Sequence, residues 1–216
     1  MENLLLKKRI LEISYKKKLS HLGSCLTAVD IIKEIYDIKK PEEKFVLSCG
    51  HAGLALYVVL ESKGGRNAEE IFSHHGVHPD RCLGCGIDFS TGSLGHGLPA
   101  AVGMALADRS KNVYCLISDG ECSEGSVFEA LRIAKEQRLV NLNVYVNVNG
   151  WGAYRAIDRF VLSEQLAPYQ IISSEKKDGI DKRLVTIVHT DIPEWLQGQD
   201  GHYKVLTKEE YETYIR

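Results

Sequence analysis

Apolar positions along this chain fall into two alternating rhythms, one with helical spacing and one of short unbroken runs. Leu4, Leu5, Leu11 and Ile13 recur among lysines between Asn3 and Lys18, which predicts an amphipathic helix. A loop, Leu19-Ser20-His21-Leu22-Gly23, comes next. Thr27-Ala-Val-Asp30 then has the form of a capping box, so a helix is predicted from Ala28 to Tyr36, stopping before Pro41. Phe45 to Ser48 reads as a buried strand, and Gly50-His51 separates it from an apolar helix, Leu54 to Leu60, ended by Gly64-Gly65. Asn67-Ala-Glu-Glu70 caps another short helix, and Gly76 to Gly97 has the Gly, Cys and polar content of a long loop. Pro99, in the favoured first position, opens a helix of small apolar residues running to Asp108, predicted to be buried against a sheet or a partner. Val113–Ile117 and Leu142–Val148 are strand-like runs joined by an amphipathic helix starting near Ser123. Leu184–His189 reads as a closing buried strand, and Thr207-Lys-Glu-Glu210 caps a final helix.

Two strands separated by one helix form a βαβ unit with parallel strands. The predicted class is therefore α/β, a mostly parallel sheet with helices on both faces. Asp119 and Asn149 then fall just past the carboxyl ends of their strands, the edge at which open α/β sheets bind ligands. Gly120 lets an anion approach the backbone, and the following helix aims its free N–H groups at the same place, which suits a phosphate or diphosphate. The Asp119 carboxylate, the Asn149 amide oxygen and the backbone carbonyl near Trp151, with diphosphate oxygens and a water, make the all-oxygen octahedral set that Mg2+ prefers. An isolated Asp-Gly, however, also suits an ordinary strand-to-helix turn.

Composition narrows the reading. With 216 residues and 44% apolar content, the chain can bury a core as a single domain, 1–216. A net charge of -2, with basic residues spread along the chain, argues against nucleic acid as a partner. The absence of a membrane-length apolar stretch and of a signal-peptide layout predicts a cytoplasmic protein. Cys25, Cys49, Cys82, Cys85, Cys115 and Cys122 are scattered as reduced thiols would be. His74, His75, His78, Cys82 and Cys85 form a local cluster, so a zinc or thiol module on His78, Cys82 and Cys85 is an alternative reading.

Asp119-Gly120, Glu124-Gly125, Glu129-Ala130 and Asn149-Gly150 together resemble the thiamine diphosphate motif of transketolases, above all the N-terminal subunit of split transketolase-like enzymes. Ser118 stands where that motif usually has a first Gly, and Asn147-Val148 precede Asn149 where the family has an acidic or polar residue. The resemblance implies the thiamine diphosphate-binding fold, with thiamine diphosphate and Mg2+ as cofactors. It implies Asp119, Asn149 and Trp151 as metal ligands. His21 and His51 match the two segments that bring histidines to the cofactor and donor sugar, with His21 as proton relay and substrate contact. His78 in Val77-His78-Pro79 matches the histidine that meets donor hydroxyls, and His202 in Gly201-His202-Tyr203 matches the late histidine that reaches diphosphate and substrate. Gly92, Ser93 and Leu94 match the loop that packs on the aminopyrimidine, where His96 replaces a common Gln; Gly120 and Glu124 complete the implied cofactor contacts.

The activity implied is transfer of a two-carbon ketol unit from a ketose donor to an aldehyde acceptor, with histidines suited to the proton transfers. The family's activating glutamate belongs to a separate pyrimidine-binding domain for which these 216 residues show no candidate. A partner chain carrying it, assembled as a heterotetramer, is therefore expected. Between Tyr154 and Asp181 the family's Asp-Gly-His-Asp element is absent, which motivates the alternative of a non-catalytic member that binds cofactor or partner.

Overall fold

The computed structural model describes residues 2–172 and 182–215. Among these residues, six strands, β1 (Lys44–Leu47), β2 (Val113–Ser118), β3 (Leu142–Val148), β4 (Ile171–Ile172), β5 (Lys182–Arg183) and β6 (Val185–His189), are joined by helices. These are α1 (Glu2–Lys17), α2 (Leu22–Ile38), α3 (Gly53–Ser62), α4 (Ala68–His75), α5 (Gly97–Ala107), α6 (Gly125–Glu136), α7 (Arg159–Leu166), α8 (Asp200–Tyr203) and α9 (Lys208–Tyr214).

Every residue of β2 is buried, as a central strand covered on both faces must be. The sheet runs β1-β2-β3-β6, parallel throughout, with Ser118 opposite Asn147; β4 and β5 form a separate antiparallel pair. Side chains alternate across the sheet. Phe45, Leu47, Tyr114 and Leu116 face a layer built from α1 to α4, whereas Val46, Val113, Cys115, Ile117, Val144 and Val146 face the layer of α5, α6 and α7. The predicted α/β class with helices on both faces is thus observed.

Several predicted boundaries move. The helix expected from Ala28 begins at Leu22, and Thr27 is not a cap: it lies inside α2, where its hydroxyl donates to the Gly23 carbonyl at 2.8 Å. His21 is the N-cap, in the left-handed region at φ 62°. The helix expected near Ser123 begins at Gly125, because Gly120–Ser123 first make a 3-10 turn. The helix placed to open at Pro99 opens at Gly97, and only one of its faces is covered: Leu98, Ala101, Val102 and Ala105 are buried, whereas Pro99, Gly103 and Leu106 are exposed. The caps at Asn67 and Thr207 form as expected, Asn67 accepting from the Glu69 and Glu70 amides and Thr207 closing a reciprocal box with Glu210. Of the segment between Tyr154 and Asp181, residues 173–181 lie outside the described residues.

Candidate functional site

The strands deliver their functional residues to one edge. Asp119 follows β2 directly and is 2% exposed. Its Oδ1 accepts from the Gly120 amide at 2.9 Å and its Oδ2 from the Gly150 amide at 2.7 Å, so one carboxylate ties the end of β2 to the turn after β3. Gly150 takes φ +84°, the left-handed region that favours glycine, and so turns its N–H inward. Burial raises the Asp119 pKa to about 6 in spite of these bonds, whose effect is to lower it. Asn149 is also buried, and its Oδ1 accepts from the Trp151 amide at 2.9 Å.

These are hard oxygen donors, and the desolvated Asp119 carboxylate is held by amide N–H groups alone among the described residues. That combination fits a divalent cation such as Mg2+. A Cβ placed on Gly120 would meet nothing nearer than 3.8 Å, so the backbone there is open to an anion beside the start of α6. A recess of about 280 Å3 on the flank of Asp119 is lined by Cys122, Ser123, Arg155, Asp158 and Leu162 as well.

Three histidines stand across from the carboxylate. His21 and His202 meet edge to face with ring centroids 4.2 Å apart, and His51 lies 5.6 Å from His21 and 6.1 Å from His202. The placement of His202 depends on glycines: a Cβ on Gly23 would strike the Gly201 carbonyl at 2.9 Å, so α8 can rest directly on the first turn of α2. The His21 amide donates to the His202 carbonyl at 2.8 Å. Burial, then the neighbouring His202 and His78, lowers the His21 pKa to about 4; burial, then His21, His202 and His78, lowers that of His51 to about 3. Burial lowers His202 as well. All three rings are therefore neutral near pH 7, and the buried Nδ1 of His21 has no hydrogen-bond partner among the described residues.

A recess lined by Ser24, His51, Leu94, Asp119, Asn149 and His202 joins the two groups, with Gly120 and Trp151 also on its wall. His78 does not line it, but its ring packs on Gly92, where an added Cβ would approach it to 3.3 Å. Ser93 lies beside Leu94 on an exposed surface recess with Pro99, and Glu124 is exposed at the start of α6. The structure thus brings together Asp119, Gly120, Asn149, Trp151, His51, His202 and Leu94 around one recess; His21 joins them through its ring contacts with His51 and His202, whereas Gly92, His78, Ser93 and Glu124 do not line the recess.

Sequence reasoning missed a second layer. Glu121 is fully buried and accepts from Ser48 Oγ at 2.7 Å, the Gly95 amide at 3.0 Å and the Ser118 amide at 3.1 Å. One carboxylate thus joins the ends of β1 and β2 to the loop that carries Leu94. Thr27, read as a cap, instead accepts from Asn147 Nδ2 at 3.0 Å, and Asn147 Oδ1 accepts from Thr190 at 2.6 Å. This chain of side chains holds the His21 helix against the ends of β3 and β6. The available signal was an acidic residue two places after Asp119 and a polar Asn inside a strand-like run.

The family model of the transketolase thiamine diphosphate-binding domain matches residues 16–171. The chain belongs to the transketolase family. Within it, an apulose-4-phosphate transketolase subunit of Phocaeicola vulgatus is 37% identical over 163 residues, covering 66% of this chain and 58% of that protein. The 6-deoxy-6-sulfo-D-fructose transketolase subunit SqwG of a Clostridium species is 36% identical over 164 residues, covering 67% and 60%. Human transketolase is 36% identical over 171 residues, covering 69% of this chain and 27% of its own length. The chain thus spans no more than about three fifths of these relatives. Campylobacter jejuni transketolase superposes over the whole chain with a TM-score of 0.71 at 21% identity, covering 43% of that structure, and so shares the fold. No helix among the described residues is long and apolar enough to cross a membrane.

Proposed function

We propose that this chain is the diphosphate-binding subunit of a transketolase-type enzyme that moves a two-carbon ketol unit from a ketose donor to an aldehyde acceptor. The observation that carries this reading is that Asp119 and Asn149, at the ends of β2 and β3, face His51 and His202 across one recess, with the His21 ring packed edge to face on His202. Asp119, Asn149 and the Trp151 carbonyl would hold Mg2+, and the Gly120 turn would hold the diphosphate beside it. Thiamine diphosphate supplies, when bound, the electron sink for breaking the donor C–C bond.

The chain's own residues then position and move protons. His21, neutral and with an unpartnered Nδ1, accepts or returns a proton at the substrate. His51 and His202 contact cofactor and substrate, and His78 reaches donor hydroxyls. Gly92, Ser93 and Leu94 pack on the aminopyrimidine, and Glu124 borders the diphosphate side.

A separate polypeptide supplies the pyrimidine-binding domain and its activating glutamate, in a heterotetramer with active sites between chains, in the cytoplasm. Two observations support this. Two of the matched relatives are named as transketolase subunits. The exposed side of α5 with Leu94 and Leu106, each 39% exposed, leaves apolar surface beside the site. The second reading, a non-catalytic chain that binds cofactor or partner, rests on the absence of an Asp-Gly-His-Asp element between Tyr154 and Asp181. Calorimetry with thiamine diphosphate and Mg2+, with and without the partner, paired with a ketose-phosphate transfer assay, tests both. Binding and transfer only with the partner is expected; tight binding without transfer in the reconstituted pair selects the second reading, and full activity of the chain alone overturns the split assembly.

A further inference from the structure

Away from the carboxyl edge, the loop between α4 and α5 folds back on itself at Cys82-Leu83-Gly84-Cys85-Gly86. Leu83–Cys85 form a single 3-10 turn, the Cys85 amide donates to the Cys82 carbonyl at 2.9 Å, and Gly86 takes φ +83°. Cys82 and Ile87 then exchange both backbone hydrogen bonds, at 2.9 and 3.0 Å. A turn of this shape points both cysteine side chains to one side, with their Cα atoms 5.2 Å apart and their sulfurs joined as a disulfide, which departs from the reduced thiols expected of the sequence.

The third member is His75 and not His78 as the sequence suggested, because His75 ends α4 directly over the turn while His78 lies on Gly92. His75 Nε2 stands 3.5 Å from Cys85 Sγ, and ligand atoms of His75, Cys82 and Cys85 all lie within 4.8 Å of one another. Sulfur and nitrogen ligands about 2.3 and 2.0 Å from a tetrahedral zinc stand roughly 3.5 Å from each other, the separation His75 and Cys85 already show. Cys85 is buried whereas His75 and Cys82 are partly exposed, which leaves one side open to solvent.

We propose that His75, Cys82 and Cys85 form a zinc site whose fourth ligand is water. The zinc-holding form is the dithiol: two equivalents of a small thiol reduce the disulfide to two thiols and are themselves oxidised to a disulfide, and the cation then displaces one proton from each cysteine. Its role is to staple the loop. The turn is tied onward to the segment presenting His78, since the Arg81 amide donates to Ser90 Oγ at 2.7 Å and the Thr91 amide to the Pro79 carbonyl at 3.0 Å. The site is separate from the proposed Mg2+ ligands and does not depend on the ketol-transfer reading.

The test is elemental analysis of the full chain purified in reductant with zinc present, together with Co2+ titration of the same protein. About one zinc per chain is expected, with an intense tetrahedral visible spectrum and a thiolate-to-cobalt charge-transfer band. The Cys82→Ser/Cys85→Ser variant should lose both, and His75→Ala should bind at least about tenfold more weakly. Because the cobalt spectrum is read on wild-type protein, it stands even where a variant fails to fold. Reduced wild-type chain without stoichiometric zinc or a charge-transfer band overturns the proposal, as does undiminished metal in the folded double-cysteine variant.

Discussion

The two sides of the recess differ in how their polar atoms are held. On the acidic side, Asp119 and Glu121 are buried, yet both oxygens of Asp119 and the whole head group of Glu121 are met by amides and a hydroxyl. On the histidine side, three rings crowd within about 6 Å of one another, burial disfavours their charged forms, and His21 Nδ1 meets no partner among the described residues. The acidic side is a finished scaffold, while the histidine side keeps hydrogen-bonding capacity that no described residue meets. Substitutions on the first should therefore be felt as stability or cofactor affinity, and those on the second as turnover.

The largest effect is expected at Glu121. Glu121→Ala takes the acceptor away from the Ser48 hydroxyl and two buried amides and should lower unfolding free energy by about 3 kcal/mol in urea titrations. A loss below about 1 kcal/mol would mean that the scaffold reading of the acidic side is wrong. Asp119→Ala should keep the fold at a smaller stability cost, since the Gly120 and Gly150 amides lose their acceptor but a carboxylate that burial disfavours is removed, and should weaken Mg2+-dependent thiamine diphosphate binding by at least about a hundredfold, with Asn149→Ala acting similarly. Calorimetry showing full affinity in both variants would misplace the site.

On the opposite side, His21→Ala or His78→Ala should lower kcat of the reconstituted enzyme by roughly 10- to 100-fold while changing cofactor Kd only a few-fold. Equal losses in both would erase the distinction between the two sides. The smallest effect concerns pH. His51 has its pKa lowered to about 3 in the folded chain, against about 6.5 unfolded, so the unfolded chain binds the extra proton between these values. Its contribution is complete above pH 6.5 and is lost as pH falls toward 3. His51→Gln should therefore flatten the acid decline in stability by up to ~1.4 kcal/mol per pH unit within that window. Unfolding curves at about pH 5 and 7 with the wild-type slope in the variant would show that the ring is not buried neutral.

Much of this was legible in the chain because it obeys local rules. Val113–Ile117 is an unbroken apolar run and β3 sets valines at alternate positions, Asn67 and Thr207 cap as their spacing says, and the positions of Asp119 and Asn149 follow from the strand ends. The failures share a cause. Thr27 carries a good capping pattern, but its hydroxyl is claimed by Asn147, 120 positions away, and no local rule reports that. The role of Glu121 is only hinted at by its place two residues after Asp119, since two of its three partners, Ser48 and Gly95, come from distant segments. His75 displaced His78 in the cysteine cluster because the end of α4 decides which ring faces the turn, and sequence spacing does not encode that direction.

The contact between Gly23 and Gly201 ties together two stretches that lie far apart in the chain. His21 and His202 meet only because α8 settles on the first turn of α2, where a Cβ on Gly23 would strike the Gly201 carbonyl at 2.9 Å. A single missing methyl group thus sets the spacing of the histidine cluster, and any side chain at Gly23 would lift α8 and carry the His202 ring away from its two neighbours.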